Sequence, residues 1–130
     1  MIVLDASAVI ELLLGTEAGI AVRRRVSRRT ESLHAPHLMD VEVAQVLRRY
    51  HARGAIGEDR GREALEDLGD LDVARYPHDP LLPRVWQLRA NLSAYDAVYV
   101  ALAEALAAPL LTLDRRIASA PGHRARVETV

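Results

Sequence analysis

Ile2-Val3-Leu4-Asp5-Ala6-Ser7-Ala8-Val9-Ile10-Glu11-Leu12-Leu13-Leu14-Gly15 decides how this chain is built. Ile2 to Leu4 is a short aliphatic run closed by an acid, the pattern of a buried parallel strand with its polar residue at the carboxyl end. Ala6 to Leu14 carries Val9, Ile10, Leu12, Leu13 and Leu14 ahead of Gly15, and so predicts a short apolar helix stopped by glycine. A strand that delivers an acid directly into a helix is the unit from which the rest can be extended.

The alternation continues outward. A second helix is predicted from Thr16 or Glu17 to about Arg29, a weak strand at Ser32 to Ala35, and a strong helix from Leu38 to Arg53 ended by Gly54. Glu58 to Leu68 forms another helix, with Ala64, Leu65 and Leu68 on one face. Val73 to Tyr76 is a strand, and the proline-rich loop from Pro77 to Pro83 leads into a helix containing Val85, Trp86 and Leu88. Ser93 to Ala108 is the most apolar helix, and Pro109 ends it. Leu110 to Leu113 is a strand, Asp114 to Ala120 a short helix, and Arg126 to Val130 the last strand. Strands alternating with helices predict one α/β domain over residues 1–130, with helices on both faces of a mainly parallel five-stranded sheet.

Composition narrows the chemistry. The chain has 130 residues, 50% hydrophobic and 27% charged, with a formal net charge of -1. This is a globular make-up and not that of a uniformly basic nucleic-acid coat, so any polynucleotide contact must be local. All 17 basic residues are arginine. Without lysine there is no Walker-type phosphate loop and no Schiff base, and without cysteine there is no thiol nucleophile, thiolate zinc site or disulfide. The N-terminus lacks a positively charged leader, and the richest apolar stretch, Ala97 to Leu113, is broken by Glu104 and Pro109. It falls short of the ~20 residues of a membrane helix. A cytoplasmic protein that does not enter a membrane is the expectation.

Four carboxylates, Asp5, Glu42, Asp96 and Asp114, occupy places where an acid is either a helix cap or a ligand. Asp5 and Asp114 each follow a predicted strand and precede a helix, as N-caps do. Ser93-Ala94-Tyr95-Asp96 has the spacing of a capping box. Glu42 resists that explanation, because its helical neighbours are Leu38, Met39 and Val46, and Asp96 opens a helix whose only other charged residue is Glu104. An acid facing an interior costs several kcal/mol unless a cation or dense hydrogen bonding compensates it. In open α/β sheets ligands bind beyond the carboxyl ends of the strands, which is where all four acids should meet. Acids gathered there repel one another unless a hard divalent cation takes their oxygens, and an acid-held Mg²⁺ suits phosphate-ester chemistry.

These residues resemble a known family. Asp5-Ala6-Ser7 after the first strand, Glu42 early in the third helix, Ser93-Ala94-Tyr95-Asp96-Ala97 and Leu111-Thr112-Leu113-Asp114-Arg115 together look like PIN-domain ribonucleases, and more narrowly like VapC-type toxins of bacterial VapBC pairs. The resemblance implies a three-layer α/β/α sandwich and an endoribonuclease dependent on Mg²⁺ or Mn²⁺. It also implies a homodimer neutralised by a VapB-like antitoxin. By motif position Asp5, Glu42, Asp96 and Asp114 map onto the family's catalytic metal-binding acids, and Ser7 and Thr112 onto supporting hydroxyls. The chain departs from the family in having Gln45 where asparagine is frequent, and Arg115 and Arg116 where some members add an acid.

Other residues compete for a role. Arg115 and Arg116 are candidate contacts for an RNA phosphate, and Arg23, Arg24, Arg25, Arg28 and Arg29 form either a phosphate-tracking strip or a solvated helix face. His34 and His37 are separated by Pro36, which argues against a helical zinc pair. Tyr50, Tyr76, Tyr95, Tyr99 and Trp86 read as core or rim aromatics. Two rival readings stand beside the nuclease. One is a phosphatase-like or receiver-like protein with Asp5 as phospho-acceptor. The other is a non-enzymatic binding module whose acids are caps and whose apolar helix, Ala6 to Leu14, docks a partner.

Overall fold

Five strands form one sheet, and every neighbouring pair in it is parallel. The computed structural model describes residues 1–28 and 31–130. Strand β1 (Ile2–Leu4) leads through α1 (Ala6–Leu14) and α2 (Glu17–Val26) to β2 (Leu33–Pro36). Helices α3 (Leu38–Ala52) and α4 (Glu58–Asp70) then lead to β3 (Val73–Tyr76). A 3₁₀ turn (Asp79–Leu81), α5 (Leu82–Gln87) and α6 (Ala94–Leu106) precede β4 (Leu110–Thr112), and α7 (Arg115–Ser119) precedes β5 (Val127–Thr129).

The spatial order is β3-β2-β1-β4-β5. Crossovers between parallel strands are right-handed, so connections running from β1 toward β3 lie on one face and those running back through β4 to β5 on the other. Accordingly α1 packs against α2, α3 and α4, while α6 packs against β1, β2 and β4. The result is a helix-sheet-helix sandwich whose central strand, Ile2-Val3-Leu4, is wholly buried.

Boundaries differ from the sequence reading where packing or backbone geometry intervenes. Helix α2 ends at Val26, short of the expected position near Arg29, which lies outside the described residues. Helix α6 ends at Leu106 because Ala107 adopts the left-handed conformation, φ 50°, and returns its N–H to the preceding turn. The helix is therefore closed before Pro109. Helices α1 and α2 meet at Gly19, where a Cβ would collide with the Glu11 carbonyl.

The sequence reading leaves part of the apolar face of α1 to a partner; within the chain Val9, Ile10 and Leu12 are buried, while Leu13 and Leu14 stay half-exposed. Flanking helices and the sheet take up what a lone helix could not bury. The large apolar side chains left exposed include Val41, Leu82, Trp86 and Tyr95. Among the described residues no helix is long and apolar enough to cross a membrane.

Candidate active site

Adjacent strands bring the first two acids together. Val3 pairs with Leu110 and Leu4 with Leu111, and the Asp5 N–H donates to the Leu111 carbonyl at 3.0 Å. From this point the chain turns into α1 after β1 and toward α7 after β4, so Asp5 and Asp114 leave the same rim at the switch in strand order. A single hydroxyl joins them. Thr112 Oγ1 donates to Asp5 Oδ2 at 2.6 Å and accepts from the Asp114 N–H at 2.9 Å. Ser7 Oγ donates to the same Asp5 oxygen at 2.9 Å and accepts from the Leu113 N–H at 3.1 Å.

Glu42 and Asp96 arrive on helices from opposite layers. Glu42 lies a turn into α3, and its Oε1 accepts the Tyr99 hydroxyl at 2.5 Å. Tyr99 is 1% exposed and stands on α6 three residues after Asp96, hence on the same helix face. That spacing was the available signal for Tyr99, which the sequence reading left among core or rim aromatics. The start of α3 is tied to the β3 side of the sheet. Its first N–H, on Leu38, donates to His78 Nε2 at 2.9 Å, and Asp40 accepts both ends of the Arg75 guanidinium at 2.7 and 3.0 Å. Neither His78 nor Asp40 had been given a role.

The capping explanation now divides. Asp114 does cap α7, its Oδ1 accepting the Arg116 N–H at 2.9 Å. Asp5 occupies the cap position of α1 without making a side-chain capping bond. Ser93 caps α6 through the Asp96 N–H at 3.2 Å, but the return bond of a capping box, from the Ser93 N–H to Asp96, is not made.

Electrostatics divide the acids the same way. Burial pushes Asp5, Glu42 and Asp96 above the usual carboxylate range, and like charge adds to it: Asp114 on Asp5, Asp5 and Asp96 on Glu42, Asp5 and Asp114 on Asp96. Tyr99 works against this at Glu42 by donating to the ionised form. Asp114 is held below its ordinary value by Arg116, whose Nε and Nη2 donate to its two oxygens at 3.1 and 2.7 Å. Among the described residues no cation is ion-paired with Asp5, Glu42 or Asp96, while Arg116 is paired with Asp114 and acts on Asp96 by its charge alone.

Asp5, Ser7, Glu42, Asp114 and Arg116 line one cleft of about 690 Å³, with Gln45, Arg49 and Tyr95 around them. Thr112 is buried, and Asp96 lies outside the lining although its charge acts on Glu42 and it feels the charge of Asp5. Arg115 is exposed and does not line the cleft, nor do Arg23, Arg24, Arg25 or Arg28. Arg25 instead clamps Glu128 and Glu31, at 2.6 and 2.8 Å, while Arg29 is outside the described residues. His34 is enclosed between the Ser32 and Tyr76 hydroxyls, at 2.7 and 2.6 Å, and does not meet His37.

The donor set is all oxygen, carboxylate and hydroxyl, which fits a hard divalent cation such as Mg²⁺ or Mn²⁺ and not a thiolate-loving metal. As the side chains stand, no three His, Asp or Glu groups among the described residues are gathered tightly enough to enclose one ion.

Comparison with known proteins agrees with this frame. The PIN domain family matches residues 2–122. Ribonuclease VapC12 of Mycobacterium tuberculosis is 45% identical over 130 residues, covering 100% of this chain and 99% of the relative. Ribonuclease VapC1 of the same organism is 46% identical over 129 residues, covering 98% and 96%. Among solved structures, Mycobacterium tuberculosis VapC20, a sarcin-ricin loop cleaving toxin, superposes with a TM-score of 0.71 at 14% identity over 95% of this chain and 97% of that one. A toxin-antitoxin complex from Klebsiella pneumoniae gives 0.69 at 21% identity over 99% and 97%. At those identities the structures speak for the fold, and the full-length sequence matches for the family. A parallel five-stranded sandwich, acids at its carboxyl rim and two such relatives place this chain in the PIN-domain family, among the VapC ribonucleases.

Proposed function

We propose that the protein, acting as one PIN-type unit over residues 1–130, is a divalent-metal-dependent endoribonuclease and the toxin of a toxin-antitoxin pair. The observation that carries this reading is the set of Asp5, Glu42 and Asp96, three acids raised by burial and by the charge of neighbouring acids at the switch point, with Asp5 and Glu42 lining one cleft. Asp5, Glu42, Asp96 and Asp114 would surround Mg²⁺ or Mn²⁺. Such an ion supplies a Lewis acid that eases deprotonation of water and offsets charge on the attacked phosphate.

The chain's own groups supply the rest. Thr112 and Ser7 fix one oxygen of Asp5, so its carboxylate cannot rotate freely. Tyr99 does the same for Glu42 and favours its ionised form against the effect of burial. Arg116 places a guanidinium at the cleft, beside the position an RNA phosphate would take, while Arg115 has no such placement. The phospho-acceptor reading is weaker, since Asp5 Oδ2 already accepts two hydroxyls and the chain has no lysine to offset an acyl phosphate.

The antitoxin of the VapB kind and a second copy of this chain are the proposed protein partners. Exposed Val41 beside Glu42, exposed Tyr95 beside Asp96, and Leu82 and Trp86 support a partner close to the cleft. The deciding experiment uses Glu42→Gln and Asp96→Asn. Both should lose cleavage of total cellular RNA, and both should lose most of the Mg²⁺-induced rise in melting temperature expected of wild type. Variants that cut RNA at the wild-type rate would overturn the reading.

A further inference from the structure

We propose that Arg49 binds an RNA phosphate neighbouring the one attacked, so that the strand is gripped along α3 and not along the arginine-rich end of α2. The inference rests on the ribonuclease reading above and says where the strand lies.

The lining of the cleft singles Arg49 out. Of the chain's 17 basic residues, only Arg49 and Arg116 among the described residues line it, facing the acids Asp5, Glu42 and Asp114. A phosphodiester entering so acidic a mouth is repelled unless positive charge meets it. Much of the Arg116 charge is already offset by Asp114, whose two oxygens accept its Nε at 3.1 Å and its Nη2 at 2.7 Å. Arg49 is exposed and forms no ion pair among the described residues, so its whole charge is open to an incoming anion.

The helix sets the spacing. Gln45, Val46 and Arg49 follow Glu42 at three, four and seven residues, which is one face of α3, and all four line the cleft. Seven residues of helix rise about 10.5 Å, more than one phosphate group spans, so Arg49 addresses the next phosphate along the strand from the one at Glu42. The run on α2 offers no such placement. Arg23, Arg24 and Arg28 do not line the cleft, and Arg25 is held by Glu31 and Glu128 at 2.8 and 2.6 Å.

The test follows initial rates of new RNA ends in total cellular RNA with Mn²⁺, against RNA and salt concentration. It compares wild type, Arg49→Gln, Arg49→Lys and, on α2, Arg24→Gln. Arg49 is exposed and glutamine is as good a helix former, so the variants should melt with wild type. Arg49→Gln should raise KM roughly three- to tenfold, between the effect of an exposed ion pair and that of a charge-assisted hydrogen bond. Its kcat should stay within about twofold, because a contact beside the attacked phosphate is made equally before and in the transition state. The slope of log kcat/KM against log salt should flatten by about 0.7, the share of one phosphate on a single strand. Arg49→Lys keeps the charge and should restore that slope, and Arg24→Gln should match wild type throughout. An unchanged KM and slope in Arg49→Gln, a loss confined to kcat, a slope that lysine does not restore, or an equal flattening in Arg24→Gln would overturn the proposal. A wild type that makes no new RNA ends would instead bring down the ribonuclease reading beneath it.

Discussion

Replacing Tyr99 by Phe isolates one hydrogen bond at the site. The ring is 1% exposed and would stay where it is, so no cavity forms and the change is confined to the hydroxyl that Glu42 accepts at 2.5 Å. Hydrogen bonds to charged acceptors contribute about 1.5–3 kcal/mol. Glu42 is only half-buried, so water can replace part of the lost bond, and the lower end, about 1.5–2 kcal/mol, is the expected loss. For a domain of this size each kcal/mol is worth about 3–4 °C, giving a drop of roughly 5–8 °C in metal-free melting temperature. The loss should depend on pH. Tyr99 favours the ionised form of Glu42, whose pKa already lies above its ordinary value of 4.5, and without the hydroxyl it rises further. As pH falls, the variant takes up its proton first, and the gap between the two proteins narrows through the interval between their Glu42 pKa values. Urea unfolding in EDTA at about pH 7.5 and at about pH 5 measures both effects, with RNA cleavage reporting whether Glu42 has lost its orientation. A variant as stable as wild type at the higher pH, or a gap that widens on acidification, would refute the argument.

Asp5→Asn should be more stable than wild type in EDTA at neutral pH, because the folded state raises the pKa of Asp5 and so disfavours its charge. That advantage should vanish as pH falls through the folded-state pKa toward the unfolded value near 4, where wild type is protonated too; denaturant titrations across that range would contradict it by showing the variant less stable throughout. Gly19→Ala should cost more than about 3 kcal/mol, since the new Cβ meets the Glu11 backbone and α1 and α2 must separate. Gly69→Ala is its control. No atom lies within 4 Å of a Cβ there, and removing a helical glycine should be neutral or stabilising by up to about 1 kcal/mol. Equal melting temperatures for the two variants would show that the α1–α2 approach is not tight.

Much of the architecture is written in local pattern. Ile2–Leu4 and Ala6–Leu14 fall where the aliphatic run and its glycine stop place them, since strand and helix periodicity and a left-handed Gly15 at φ 65° are decided by neighbouring residues. Right-handed crossovers carry the alternation to a sheet order that puts Asp5 and Asp114 on one rim. The candidate acids Asp5, Glu42, Asp96 and Asp114 stood out because charge is costly in apolar company, and the hydroxyls Ser7 and Thr112 followed from motif position. What stayed hidden depends on contacts between residues far apart in the chain. Burial of Val9, Ile10 and Leu12 was invisible because it takes helices from both sides of α1 to cover them. Tyr99 and Glu42 are 57 residues apart and His78 and Leu38 are 40 apart, so no local period could pair them. The separate fate of Asp114 lay in a rotamer. The sequence by itself determined that acids meet at the mouth of a parallel sheet, because hydrophobic periodicity and chain chirality are local physics. Tertiary structure alone decided which of them is ion-paired, because burial and Coulomb interaction are set by distance through space.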